Sequence, residues 1–382
     1  FPTRRSSDLT KLVVAQGAEM VGDRALATDT FKALVADDRT RFVGVRGLMK
    51  QRLSEGDTET AMTLAEKAMA IRPRNAEVQT TLLQLQARHE DWSGARATLA
   101  QTLKAGNLPR DVHKRRDAVL ALAHARDAMA EGKVDEATRD AEAAQSMAPG
   151  LVPAAVMAAR LEIANGKTRQ AAKTLRKAWD AEPHPDIAAA FAEIDPDETP
   201  AARLKRFRPL IAKHSGHAEA KMLEAELQIA AEDFPAARRA LGDLAETAPT
   251  ARSLTIMAAI ERGEGAEDRV VRAWLAKAVT APRGMQWVCD NCGHVHAEWR
   301  PVCAHCDSFD SLSWQEVAQS EAALTGPSQM LPLIVGALED KRAPDTEEAE
   351  VVEPGQGHAD TAPAADAAPD ETPRPEAEPA RN

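Results

Sequence analysis

Apolar positions along most of the chain recur at intervals of three and four residues, the spacing of a helix with one buried face. Phe42, Val45, Leu48, Met49 and Leu53 form one such stripe, and Ala61, Leu64, Ala65 and Ala68 form the next. Between the stripes stand turn residues, and these also recur. Gly22, Asp23 and Ala27 return 34 positions later as Gly56, Asp57 and Ala61, and again as Glu90, Asp91 and Ala95. A second series sets Ala61 before Pro73, Ala137 before Pro149, Ala171 before Pro183 and Ala237 before Pro249, always 12 positions apart. Glycine permits a tight turn, aspartate caps the following helix, alanine lets two helices approach closely, and proline marks the break between pairs.

A 34-residue period of paired helices is the signature of tetratricopeptide repeats. The expected fold class is therefore all-α, a tetratricopeptide-repeat superhelix, with a small four-cysteine module of rubredoxin-like or zinc-ribbon type near the C-terminus. The expected organisation sets residues 1–9 outside the array, repeats over 10–181, a proline-rich break over 182–200, and further repeats with a cap over 201–280. The module follows at 285–314, then a short helical segment at 315–338 and a disordered acidic tail at 339–382. Between Ala95 and Ala137 the period stretches to 42, an insertion placed at 106–117. This stretch carries His113, Lys114, Arg115 and Arg116. It reads either as a longer loop leading into a long helix, or as a small basic patch for a carboxylate-rich partner or membrane headgroups.

Composition agrees with thin helical layers, since aromatics are 3% of the 382 residues and tyrosine is absent. No run of 18 apolar residues occurs, so the chain as given carries no membrane span. The net charge of -11 is concentrated in residues 339–382, where 13 acids and four bases leave -9. The remainder is close to neutral and presents no basic field for nucleic acid. The opening FPTRRSSDL lies outside the repeat pattern and resembles a translated sequencing adapter, which implies that a native N-terminal region, membrane helices included, is missing.

The array holds no catalytic set. His89, His113, His124, His184, His214 and His217 bear no recurrent relation to serine, cysteine or paired carboxylates, and read as surface or packing residues. HExxH, glycine-rich phosphate loops and Gly-x-Ser-x-Gly are all absent. The expectation is a protein that is not an enzyme, with no catalytic or cofactor-binding residues.

The chemistry that the sequence does offer lies in its four cysteines, Cys289, Cys292, Cys303 and Cys306. Two Cys-x2-Cys knuckles can place four thiolates around structural zinc, with iron as the alternative. Gly293 follows the first knuckle, where the turn needs conformational freedom. A segment this short cannot bury enough surface to fold alone, and zinc supplies on the order of 10 kcal/mol in such modules. Redox regulation through thiol oxidation and disulfide formation are further readings. Exchange of one thiolate for His294, His296 or His305 is geometrically conceivable but unnecessary. Catalytic zinc is disfavoured because four thiolates leave no open position, and neither knuckle is followed by the histidine of a c-type haem motif.

Three stretches carry a resemblance: TRFVGVRGL at 40–48, LPRDVHKRRD at 108–117 and WVCDNCG at 287–293. With the repeats, they make the chain similar to the HemY-like haem-biosynthesis-associated proteins of alphaproteobacteria from Leu12 to about Leu338. The resemblance implies an inner-membrane protein, anchored by N-terminal helices missing here, with its repeats on the cytoplasmic side. Ferrochelatase or other late haem enzymes are the implied partners, and porphyrin biosynthesis the implied setting. The cysteine segment also resembles the metal module of LapB-type lipopolysaccharide assembly proteins, which implies a module clamping the end of a groove. The expected function is a non-enzymatic interaction scaffold in late haem synthesis. An adaptor in lipopolysaccharide assembly and a haem or porphyrin carrier are the alternatives.

Overall fold

Each pair of helices is set by the conformation of one residue between them. The computed structural model describes residues 3–317, and there the turn residue adopts a left-handed φ at Gly22 (80°), Gly56 (78°), Gly132 (78°), Gly166 (72°) and Gly265 (82°). The same place is taken by Glu90 at 61° and Glu232 at 59°. The next residue then caps the second helix: the carboxylates of Asp23, Asp57, Asp91 and Asp233 accept from the N–H groups of Leu26, Thr60, Gly94 and Ala236.

The resulting pairs are α1 (Thr3–Val21) with α2 (Arg24–Val35), α3 (Arg41–Ser54) with α4 (Thr58–Ile71), and α5 (Ala76–Arg88) with α6 (Trp92–Lys104). They continue with α7 (Arg110–Ala130) and α8 (Val134–Met147), then α9 (Val152–Ala164) and α10 (Thr168–Ala181). The proline-rich stretch gives a short α11 (Pro185–Ala192), started by Pro185, and leads into α12 (Pro200–Lys213). The array closes with α13 (Ala218–Ala230), α14 (Phe234–Leu241), α15 (Leu244–Thr247), α16 (Ala251–Gly263) and α17 (Asp268–Thr280). The repeat alanines Ala61, Ala95, Ala137, Ala171 and Ala237 are all fully buried, which is the close approach that small side chains allow. Gly47 serves the same end on α3, where a Cβ would lie 2.2 Å from the Phe31 ring.

Three expectations need correction or completion. Helix α1 spans Thr3–Val21, so helical backbone extends into the opening stretch. The insertion is not mainly loop: α7 is 21 residues long against 13 or 14 for the helices beside it, so most of 106–117 is its N-terminal turns. Gln315 and Glu316 belong to a strand and not to a helix, while the rest of 315–338 and the acidic tail lie outside the described residues.

After α17 the chain forms three short strands, β1 (Met285–Cys289), β2 (Val295–His296) and β3 (Leu312–Glu316), in the antiparallel order β2-β1-β3. Trp287 pairs with Trp314 in this sheet, and a separate bridge joins Val302 to Phe309.

A left-handed conformation costs a residue with a Cβ about 1–2 kcal/mol over glycine. Glu90→Gly is therefore expected to stabilise the array by about 1 kcal/mol, seen as a higher urea midpoint with unchanged m-value. An unchanged or lower midpoint would show that the turn is not strained.

Candidate metal centre and its seat on the array

Two similar turns bring the cysteines together. In the first, the Cys289 N–H donates to the His294 carbonyl at 2.9 Å and the Gly293 N–H to the Cys289 carbonyl at 2.8 Å. In the second, the Cys303 N–H donates to the Ser308 carbonyl at 2.9 Å and the Asp307 N–H to the Cys303 carbonyl at 3.0 Å. Gly293 and Asp307 occupy equivalent places and share a left-handed φ, 71° and 55°. The glycine was legible in the sequence as a conformational requirement. Its aspartate counterpart was not.

The Cys289–Cys306 and Cys292–Cys303 sulfur pairs are each 3.7 Å apart, and all four sulfurs lie within 4.8 Å of one another. Zn–S bonds of about 2.3 Å in a tetrahedron place sulfurs roughly 3.8 Å apart. The donor set therefore fits a tetrahedral ion, and the separations are far beyond the roughly 2.05 Å of a disulfide. The four cysteines are free, so the disulfide reading falls. An all-thiolate site leaves no position for a substrate, and a metal held here acts as a staple.

The surroundings act on the sulfurs in opposite directions. The Ser311 hydroxyl lies 3.2 Å from Cys289 Sγ, Asn291 Nδ2 donates to Cys306 Sγ at 3.4 Å, and the His305 N–H donates to Cys303 Sγ at 3.4 Å. Burial pushes the Cys289 thiol up, but hydrogen bonds from Ser311 and nearby amides outweigh it and bring the group down to about 6. At Cys292 the His294 amide favours the thiolate, while burial and the neighbouring sulfurs prevail and push it up to about 12. The histidines stand around this set without replacing a member. His296 Nε2 is 3.3 Å from Cys303 Sγ, and His294 stacks on His305 at 5.1 Å.

The module is seated in the middle of the array, not at its end. One buried cluster joins Val119, Leu120 and Leu122 of α7 to Trp287, Phe309 and Leu312 of the module. Arg115 on α7 donates to Asp310 at 3.1 Å, and Arg88 at the end of α5 meets Asp307 at 3.0 Å. Burial pushes the Asp310 carboxyl up despite its arginine. Arg126 donates to the Trp299 carbonyl at 3.1 Å and lies 5.1 Å over its ring. The basic stretch at 106–117 thus finds a carboxylate partner inside the same chain. All these contacts come from the first helix of a pair.

His184, the residue before α11, completes the seat. Its ring lies 4.2 Å from that of Trp314 and 5.6 Å from that of Trp287. Nδ1 accepts from the Asp186 N–H at 3.1 Å, and Nε2 has no hydrogen-bond partner among the described residues. Burial brings its pKa down to about 4, against the pull of Asp186. The packing role read for His184 holds, but no sequence signal linked it to tryptophans a hundred residues away.

Two measurements test this site. Cys303→Ser is expected to remove an equimolar metal content, measured by plasma emission spectrometry, and to shift tryptophan emission to longer wavelength with little loss of helical ellipticity. Retained metal or a complete loss of helicity would contradict the arrangement. The second concerns pH. An undocked His184 titrates near 6.5 and the docked one at about 4, so the undocked state binds the proton first as pH falls. Docking is fully present above 6.5 and is lost progressively down to about 4, by roughly 3 kcal/mol. His184→Asn, which keeps a cap, should lose that part of the acid sensitivity of tryptophan emission; an identical acid profile in the variant would refute the assignment.

Comparison with known proteins agrees with the helical pairs. The tetratricopeptide repeat family model matches residues 52–114 and 128–194. The probable magnetosome protein Mms48 of Magnetospirillum gryphiswaldense is 27% identical over 239 residues, 62% of this chain and 53% of that protein. The chain thus spans about half the length of this curated relative. A tetratricopeptide repeat protein from Parabacteroides merdae superposes with a TM-score of 0.30 at 16% identity, over 62% of this chain and 98% of that one. The TPR2AB domain of yeast Sti1, solved in a complex with pHSP90, gives 0.30 at 16% identity over 72% and 98%. No helix among the described residues is long and apolar enough to cross a membrane. With its period, its left-handed turns and its buried alanines, the chain folds as an all-α superhelix of tetratricopeptide type, matched by that family's model over 52–114 and 128–194 and similar to Mms48, and it carries a four-cysteine module able to hold a metal ion.

Proposed function

We propose that this protein is a non-enzymatic scaffold whose binding surface is shared between the repeats and the docked module. Arrays of helical pairs act as protein-interaction surfaces, and their curvature makes extended grooves. The observation that carries the reading is the seat of the module on the first-helix face. It takes up part of the surface that the repeats would otherwise offer and adds walls of its own.

Cys289, Cys292, Cys303 and Cys306 hold structural zinc in this proposal, with iron as the alternative. The metal keeps the knuckles rigid so that Arg115, Arg126 and His184 meet fixed partners. The setting proposed is late haem biosynthesis at the inner membrane, with the repeats on the cytoplasmic side and ferrochelatase or a neighbouring enzyme as partner. That setting is supported by the resemblance of residues 40–48, 108–117 and 287–293 to HemY-like proteins. One observation favours a second reading. A four-cysteine knuckle pair packed on tetratricopeptide repeats is also the architecture of LapB-type adaptors in lipopolysaccharide assembly.

The test is crosslinked affinity purification of the full-length protein from its native organism, beside a Cys303→Ser/Cys306→Ser control. Enrichment of ferrochelatase or another late haem enzyme, lost in the control, is the expected result. Enrichment of lipopolysaccharide enzymes and their protease would replace the haem reading with the second one.

A further inference from the structure

Docking of the module leaves a cleft between its residues 297–299 and helices α7 and α9, with a volume of about 560 Å³. Its floor is apolar, built from Val156, Met157 and Leu161 of α9 with Trp287 and Trp299 of the module. Its charged walls are Arg126, Arg160, Asp186 and Glu298. Arg126 and Arg160 lie 34 positions apart, so they hold the same place on successive first helices. They differ in their partners. Arg160 is closed by a two-pronged pairing with Glu193, at 2.8 to 3.1 Å. Arg126 donates to the Trp299 carbonyl, covers its ring, and forms no ion pair among the described residues.

A guanidinium has five N–H donors, and the exposed Arg126 leaves those not spent on the Trp299 carbonyl open to a carboxylate. Burial pulls the Arg126 pKa down, Glu298 acts on it only from a distance, and Arg300 opposes it. The cleft thus offers an apolar floor beside one unmatched cationic group. At this volume it takes one or two large side chains.

We propose that the cleft is the docking subsite for a partner polypeptide segment that lays a large apolar side chain on the Val156–Trp299 floor and sets a carboxylate against Arg126. This rests on the scaffold reading and deepens it by giving the partner's chemistry. A segment bound there touches the array and the module together, so it reads whether the module is seated.

The experiment uses the metal-loaded full chain and fluorescein-labelled synthetic peptides in which leucine precedes Glu, Gln or Lys by three positions. Anisotropy titration at low salt is expected to rank Glu above Gln above Lys, with about tenfold between the extremes and a smaller gap at high salt. Met129→Glu places an acid three residues after Arg126 on α7, at a position 46% exposed, and should erase the discrimination while metal content and melting stay as in wild type. Ala164→Trp, at the exposed rim, should weaken all three peptides about tenfold. Equal affinities, no binding, or binding indifferent to both variants would overturn the proposal. Concentration-dependent dimerisation abolished by Ala164→Trp would also overturn it, by making a second copy the occupant. If peptides fail while the partner recovered by affinity purification still binds Ala164→Trp, this subsite falls and the scaffold reading stands.

Discussion

A module of three short strands cannot bury a core of its own, and this one takes its core from the helices. Trp287, Phe309 and Leu312 belong to the same buried cluster as Val119, Leu120 and Leu122 of α7. The dependence runs both ways, because α7 exposes an apolar face if the module leaves. Small domains must find extra free energy outside their own core. Here two sources meet, four thiolates around one point and a seat on a helix that is longer than its neighbours.

The seat explains the break in the repeat. Eight extra residues between Ala95 and Ala137 looked like an irregularity, and they become additional turns of α7. Those turns carry Arg115 to Asp310, while Arg126 further along reaches the Trp299 carbonyl. A buried ion pair contributes little net stability but fixes geometry, since an unpaired member would be left in a poor solvent. Asp310, buried on the module, therefore fixes its place through Arg115, whereas the Arg88–Asp307 pair is exposed and adds little; the tryptophans, Phe309 and Leu312 supply the apolar contact.

For a scaffold the consequence is a surface that is composite. The first-helix face is partly covered over its middle by the four-cysteine module, and what remains accessible there has walls from both. Of the four cysteines Cys292 is exposed to solvent, while Cys289 and Cys303 are buried.

Much of this was written locally. The left-handed turn, the capping aspartate and the buried alanine are each satisfied by residues within a few positions, so a period of 34 residues declared the helical pairs. The knuckles were equally legible, because ligand spacing is itself a local constraint. Tolerance hid some of it: Glu90 and Glu232 adopt the glycine conformation, and Asp307 does so in the second knuckle. What the sequence alone could not decide was where the module rests. Arg115 and Asp310 are 195 residues apart, and His184 meets Trp314 across 130. Such pairings have no period and no spacing rule, since they follow from how stacked repeats bring distant helices to one face. Tertiary structure turned a basic stretch into an internal anchor, a packing histidine into a buried clasp, and the middle of the array into the module's core.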